Sequence, residues 1–578
     1  MKHIRELWPY LKKSKKILIF ALISSFLATS SKLAIPLIAG KAVNMMFIEG
    51  SSLSISSLSI YLVLMSTLLV VGIIFRFIFD YLTSLLGQNV TKSLRDEVYS
   101  SYLRSPISSI DSKEQGDLLQ RLINDVENVQ NGLVSGGASF FDGVVAILFT
   151  LGFMFSLNWA LTLIVIVLTP ISMLTSRFLS KWNSKYFKAQ ARSSGKMNSF
   201  VQEGLTNSVS VATLGLEKKR EEEFKELNSS FKNDVYKASF GASLINPATR
   251  LVNSLINASI ITCGAAFIIG GVNIGVIFAV GDLSAFLVYA SSYMQPFTEI
   301  SDVMSEISYA FASFSRIKEA IDTPLDKDNG KQIIEGAFAK ISAKDVTFSY
   351  DNKRDIIKDF NVDVKKGTKV ALVGPTGCGK TTLINLLLRF YDPQRGSFYA
   401  NDVSTIDLKK KEYRTHLGMV LQDTWIFNGT VFDNIAYAKP NATLEEVKKA
   451  AIAAECDSFI ERLPNGYDTL ISDSGGLSTG QKQLLCVARV MLLEPEVIIL
   501  DEATSNIDIR TESLLSSSFD RLMKGKTSFV VAHRLSTIVG SDLILVMKDG
   551  AIIERGTHKE LLEKHGFYYE LYSSQFSA

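Results

Sequence analysis

The sequence predicts two unlike halves: an α-helical membrane domain of six spans, then an α/β domain built around a phosphate loop. Three observations carry that expectation. Long apolar runs crowd the first half and then stop. Lys and Arg fall in every second connection between those runs. The second half holds an apolar strand that runs straight into the glycine-rich stretch GPTGCGKTT from Gly374.

Composition agrees with a split chain. Apolar residues make up 47% of the 578 and charged residues 21%. That is too apolar for an ordinary soluble protein and too charged for a pure membrane bundle. The net charge of +3 is too small to mark a nucleic-acid binder. Cys263, Cys378, Cys456 and Cys486 show no CxxC spacing, so they read as reduced thiols and not as disulfides or a zinc site. The first apolar run is too long for the core of a cleavable leader.

A bilayer core needs roughly 20 apolar residues in a helix. Six segments meet that need: about 17–46, 57–87, 135–157, 159–180, 240–270 and 276–307. The N-terminus (Lys2, Arg5, Lys12, Lys13, Lys15, Lys16), the 88–134 loop and the 181–239 loop are rich in Lys and Arg. The 47–56 connection, the Asn158-Trp159 turn and the 270–275 turn have none that would oppose them. The positive-inside pattern therefore places both termini in the cytoplasm, in a multi-pass protein of the cell membrane. HIRELWPYLKK at the N-terminus reads either as an amphipathic helix on the inner membrane surface or as a plain basic flank. Both basic loops look helical, the first through Leu118, Leu119, Leu122, Ile123 and Val126.

Lys32, Arg76, Asp80 and Asp142 put charge inside spans, which is costly unless paired or used. Arg76 and Asp80, four residues apart, are expected to bridge. Lys32 is the better candidate for facing a cavity. A polar stretch with Pro and Gly, IDTPLDKDNGKQIIEG from Ile321, separates the halves. The expected boundaries are a membrane domain over 1–320, a linker over 321–340 and an α/β domain over 341–578.

In the second half, the strand ending at Val373 meets Gly374, Pro375, Thr376, Gly377, Cys378, Gly379, Lys380, Thr381 and Thr382. This is the P-loop spacing. Glycines let backbone N–H groups curl around phosphate oxygens, and the following helix adds its positive end. Lys380 is placed to reach the outer phosphates, and Thr381 to offer a hydroxyl to Mg²⁺. Val497 to Leu500 form a buried strand with Asp501 at its C-terminal end, a second candidate for holding Mg²⁺. Glu502 follows, where a carboxylate can polarise an attacking water. A third apolar strand ends at His533, which alone reads as well as a structural histidine.

Taken in order, these pieces resemble the ATP-binding cassette (ABC) superfamily. Its signature motif is matched by Leu477-Ser478-Thr479-Gly480-Gln481. The resemblance implies that Tyr350 stacks on adenine, and that Gln422 senses Mg²⁺ and contacts the membrane part. It implies that Glu502 is the catalytic glutamate, Ser505 to Asp508 the D-loop and His533 the switch histidine. Six spans before one cassette resemble an exporter-type half-transporter, which implies ATP and Mg²⁺ as cofactors, an amphipathic drug, lipid or peptide as substrate, and a second half as partner in the bilayer. GDLLQRLINDV and QEGLTNSVSVATLG resemble the family's two loops that dock on the cassettes. In such dimers Ser478, Gly480 and Gln481 of one cassette complete the nucleotide site of the other.

Thr479 departs from the family's usual glycine. A glycine there allows close approach and unusual φ, both of which a β-branched residue restricts. An intact Glu502 and His533 beside an altered signature resemble one half of a heterodimeric exporter, which is favoured over a homodimer. A nucleic-acid ATPase lacks fused spans, and importer spans and cassettes are usually separate chains. A regulatory ATPase without transport stays open as the alternative.

Overall fold

The computed structural model describes residues 2–46, 55–270, 278–326, 328–334, 336, 338–421, 424–472, 475–501, 508–532 and 535–576. Two compact units emerge: one of residues 1–103 and 113–323, the other of residues 104–112 and 324–578.

The first unit is helical. Its elements are α1 (Lys2–Lys13), α2 (Lys15–Met46) and α3 (Ile55–Arg104). The short α4 (Ile107–Asp111) clusters with the second unit. A continuous helix, α5 (Gln115–Leu157), widens locally at Arg121–Asp125 and Gln130–Ser135. Then come α6 (Trp159–Thr206), α7 (Ser208–Thr213), α8 (Glu217–Ser243), α9 (Ile245–Ile269) and α10 (Val280–Ile321). Five helical stretches of 32 to 53 residues are long and apolar enough to cross a membrane. The sixth expected span falls on α10, a single helix of 42 residues. The turn between α5 and α6 is as tight as the sequence implies, because Asn158 is the N-cap of α6. Its Oδ1 accepts from the Leu161 N–H at 3.0 Å.

The N-terminal stretch forms a helix. Leu7 is buried against Leu86, Val90, Leu94 and Phe314, and the Tyr10 hydroxyl donates to Glu97. Trp8 stays exposed. The helix thus packs by one face and leaves an aromatic on the other.

The second unit holds a four-stranded antiparallel sheet and a six-stranded, mainly parallel one. The first is built from β1 (Lys340–Phe348), β2 (Ile357–Lys365), β4 (Arg395–Ala400) and β5 (Val403–Ser404), in the order β2-β1-β4-β5. The second uses β3 (Lys369–Val373), β6 (Leu417–Val420), β9 (Val497–Asp501), β10 (Thr527–Val531), β11 (Leu543–Lys548) and β12 (Ala551–Gly556). Its order is β12-β11-β3-β10-β9-β6, with β7 (Gly429–Thr430) and β8 (Leu470–Ile471) forming a small separate pair. β10 runs parallel to both β3 and β9, pairing Val531 with Leu372 on one side and Asp501 on the other. The inner strands are buried and mainly apolar, as a sheet covered on both faces demands, with the polar Thr527 and Ser528 at the start of β10.

Part of the expected linker is built into this unit. The Lys331 and Gln332 N–H groups donate to the Asp407 carbonyl, and Lys410 pairs with Asp326 at 2.6 Å. A Cβ at Gly330 would lie 1.9 Å from the Leu408 carbonyl oxygen, so only glycine lets the strap lie this close.

The helical unit is tied by a fork–fork ion pair. Arg316 donates from Nε to Asp125 Oδ2 at 2.8 Å and from Nη2 to Oδ1 at 2.6 Å, and Asp125 is fully buried. Asp125→Ala strands the guanidinium. Because Arg316 keeps access to water, the loss should be about 1–3 kcal/mol, less than for a fully buried pair. The melting temperature of the purified protein in detergent should fall by several degrees. An unchanged melting curve would show that the pair contributes nothing.

Candidate functional site

The phosphate loop sits where the register of β3, β10 and β9 brings three strand ends together. The loop leaves β3 after Val373, and the helix α11 (Lys380–Leu387) begins at its far end. Gly377 and Gly379 have φ of 82° and 105°, values that side-chain-bearing residues rarely adopt. A Cβ on Gly379 would also lie 2.8 Å from Ile357 Cδ1. The curl that turns the loop's N–H groups inward therefore needs both glycines.

Lys380 is buried, and its ammonium donates to the Gly374 and Pro375 carbonyl oxygens at 2.7 and 3.1 Å. The loop is thus closed on its own cation. Thr381 is exposed and Thr382 buried. Cys378 is buried with its Sγ 3.9 Å from the Lys380 amine, so the thiol faces the loop's underside. All four cysteines are free, as their spacing implies.

Tyr350, just beyond β1, is 51% exposed yet firmly propped. Its ring stands edge-on to Phe348 (4.9 Å, 84°) and to Tyr391 (5.0 Å, 89°). The Tyr350 hydroxyl donates to Thr382 Oγ1 at 3.3 Å, across the start of α11. An exposed aromatic face held by two perpendicular rings suits stacking on a planar base. Sequence reasoning singled out Tyr350 but missed Tyr391. The Tyr391 hydroxyl donates to Asp111 Oδ2 at 2.8 Å, at the end of α4. Burial, then the Asp111 carboxylate, push the Tyr391 phenol above its ordinary pKa, so it stays a donor.

Asp501 ends β9 and is half-buried, one strand away from β10 and two from β3. Among the described residues no three His, Cys, Asp or Glu side chains gather as a metal cage. Magnesium fits such a setting, since it is commonly held by phosphates, water and one or two protein oxygens. Gln422, Glu502 and His533 lie outside the described residues, as do Ser505 to Ile507 of the expected D-loop. Asp508, the last of that group, caps the helix α13 (Ile509–Met523). Its Oδ1 accepts from the Thr511 N–H at 2.9 Å. That backbone bond, the largest influence, holds its carboxyl below the usual range.

Ser478 caps the helix α12 (Thr479–Leu493) in a reciprocal box. Its Oγ accepts from the Gln481 N–H at 3.3 Å, and Gln481 Oε1 accepts from the Ser478 N–H at 2.9 Å. Ser478 and Thr479 are exposed, Gly480 is buried and Gln481 is partly buried. Thr479 occupies the first helical position, so no unusual φ is required there. The backbone half of the argument against a β-branched residue at 479 is therefore corrected. What remains is the added bulk of the side chain at an exposed helix end.

Comparison with known proteins completes the picture. The ABC transporter transmembrane region matches residues 18–297, and the ABC transporter domain matches residues 357–505. The second match contains Lys380, Gln422, Ser478, Asp501 and Glu502 but neither Tyr350 nor His533. The chain is 35% identical over 495 residues to the fatty acid ABC transporter ATP-binding/permease protein of Mycobacterium bovis, covering 85% of this chain and 77% of that one. It is 32% identical over 576 residues to the uncharacterized ABC transporter ATP-binding protein YfiC of Bacillus subtilis, covering 99% and 94%. Its fold matches a bacterial Atm1-family ABC exporter with ATP bound, at a TM-score of 0.78 and 27% identity over 97% of this chain and 98% of that one. With a phosphate loop on one strand end, a capped signature helix and membrane helices in the same chain, this protein belongs to the ABC transporters: it is an ATP-hydrolysing, multi-pass membrane protein of the exporter type, with its membrane region and its ATP-binding cassette fused.

Proposed function

We propose that the chain is one half of a heterodimeric exporter that moves an amphipathic molecule out of the cell, with its cassette in the cytoplasm. The observation that carries the two-subunit part of this reading is the split site, and the choice of an unlike partner rests on Thr479 in the signature beside Glu502 and His533. The loop around Lys380 and the capped end of α12 at Ser478 are separate elements of one cassette, and Ser478 and Thr479 face outward, open to a second cassette. The helix α7 supports a second subunit as well. It has no buried residue, and Val209 within it and Leu214 just after it are exposed. A relative that carries fatty acids supports an amphipathic cargo.

In this reading Tyr350 stacks on adenine, and the loop's N–H groups and Lys380 grip the phosphates. Opening the site moves Lys380 from its loop carbonyls to a stronger, charged acceptor. Thr381 and Asp501, with Gln422, would hold Mg²⁺, which neutralises phosphate charge during transfer. Glu502 orients the attacking water, and His533 contacts the outer phosphate. Closing the two cassettes around ATP favours one arrangement of the membrane helices over another, because nucleotide binds the closed state better. Co-purification from native membrane, followed by flux measurement in proteoliposomes, tests the reading. A distinct second half and ATP-dependent flux support it. Robust hydrolysis and transport by this chain alone would favour a homodimer, and hydrolysis without flux would favour a regulatory ATPase.

Two predictions arise from this assignment. Glu502→Gln should leave ATP binding intact and slow turnover by about 10²-fold or more, the range of a lost general base. In a heterodimer Thr479→Gly should leave that turnover nearly unchanged, because Thr479 serves the other site. In a homodimer it should alter all turnover. Single-turnover ATPase assays of the assembled protein separate these outcomes.

Tyr391 allows a cleaner dissection. Tyr391→Phe keeps the ring beside Tyr350 and removes only the bond to Asp111. ATP affinity should stay within about two-fold, while substrate stimulation of the ATPase should fall. Tyr391→Ala should also weaken ATP binding, by about 1 kcal/mol for a lost aromatic contact. Equal loss of affinity in both variants would show that the hydroxyl, not the ring, supports the nucleotide platform.

A further inference from the structure

The helical unit holds a half-open cavity of about 490 Å³ between α2, α3, α5 and α10, in which Lys32 is exposed. That is the size of a small-molecule site. It exists because the facing positions are small: Ala28, Gly72, Ser139, Gly143 and Ala146 all line it. Leu33, Ile35, Leu68, Leu69 and Ile73 supply its aliphatic part, while Thr29, Ser292 and Gln295 add polar groups. Three charged side chains also line it: Lys32, Arg76 and Asp142.

The three are not equivalent. Asp142 is engaged on both oxygens: its Oδ1 accepts from Ser25 at 2.8 Å and Thr29 at 2.9 Å, and its Oδ2 from Arg76 Nη1 at 2.9 Å. Arg76 divides itself between Asp142 and Asp80, the latter at 3.2 Å. Lys32 follows Thr29 by one turn of α2. Among the described residues it has no hydrogen-bond or ion-pair partner. The one carboxylate that lines the cavity is therefore engaged within the protein, while the three donors of one ammonium are not. An unpaired ammonium among lipid-depth helices is costly, and a counter-charge brought in by a ligand removes that cost.

The geometry points to a binding site for an anionic amphiphile: an acyl chain in the aliphatic part of the cavity, its carboxylate or phosphate head on Lys32. This deepens the export reading and rests on it for the identity of the cargo, though binding itself does not need transport. The contrast with a neutral or cationic amphiphile is sharp. A neutral head leaves Lys32 unpaired, and a cation meets a like charge with no free carboxylate to receive it.

The test uses the assembled transporter, purified with its partner, in nanodiscs of phosphatidylcholine. Equilibrium binding is measured for three probes of one chain length: laurate, dodecanol and dodecyltrimethylammonium. Laurate should bind about ten-fold or more tighter than either of the others. Lys32→Gln should abolish the preference and Lys32→Arg should keep it. Lys32→Glu should turn the preference toward dodecyltrimethylammonium, a gain that a misfolded variant cannot give. Adding phosphatidylglycerol asks where the head comes from. Loss of laurate binding assigns the site to an anionic bilayer lipid, and retained binding to a single-chain acid; both support an anion site on Lys32. Equal binding of laurate and dodecanol, or a laurate preference that survives Lys32→Gln, would overturn the proposal. Lys32-dependent laurate binding without flux would instead leave the site standing and remove the export reading.

Discussion

The chemistry of this protein depends on the parallel alignment of β3, β10 and β9. Parallel strands put all their C-terminal ends on one edge, so the loop after β3, Asp501 at the end of β9 and Ala532 just after β10 converge without any long connection folding back. The order β3-β10-β9 inserts one strand between phosphate loop and acidic strand end. With neighbouring strands about 4.8 Å apart, that leaves roughly 10 Å between them, room for a phosphate chain with its cation. Were β9 reversed against β3 and β10, the acidic end would lie at the opposite edge. The apolar residues of these strands, buried on both faces, hold that alignment.

From that edge a short chain of contacts leads outward. Thr382 meets Tyr350, Tyr350 meets Tyr391, and Tyr391 meets Asp111 at the end of α4. Each contact joins rigid parts. The nucleotide platform and the α4 segment therefore share one buttress, and a shift of the adenine platform is felt by a hydroxyl bonded to α4. The strap around Gly330 and Lys410 fastens the same face of the cassette to the segment leading into it. These contacts all lie within the second unit.

Much of this was legible in the sequence where local spacing decides structure. The P-loop needs a strand, glycines at fixed offsets and a helix, and all are local. The Asn158 turn is legible because an N-cap and two apolar runs meet in one place. The reading ran out where partners are distant. Arg76 and Asp80 do bridge, but the shorter bond of Arg76 goes to Asp142, 66 residues away, which no periodicity reveals. Tyr391 finds Asp111 across 280 residues. Thr479 was judged on backbone freedom, whereas a first-turn position asks for none. The expected linker reads from its sequence only as a polar stretch with Pro and Gly between the halves. Its pairing with residues 407–410 is a tertiary fact.

The central claim is that this chain forms one competent nucleotide site with a different partner. Vanadate trapping with a photoreactive ATP analogue reads it most directly, since vanadate locks only a site that has hydrolysed its nucleotide. On the assembled transporter the account predicts trapped label on this chain, whose Lys380 loop and Glu502 share the working site, and almost none on the partner. Equal labelling of two different subunits, labelling confined to the partner, or a labelled assembly made only of this chain would contradict it.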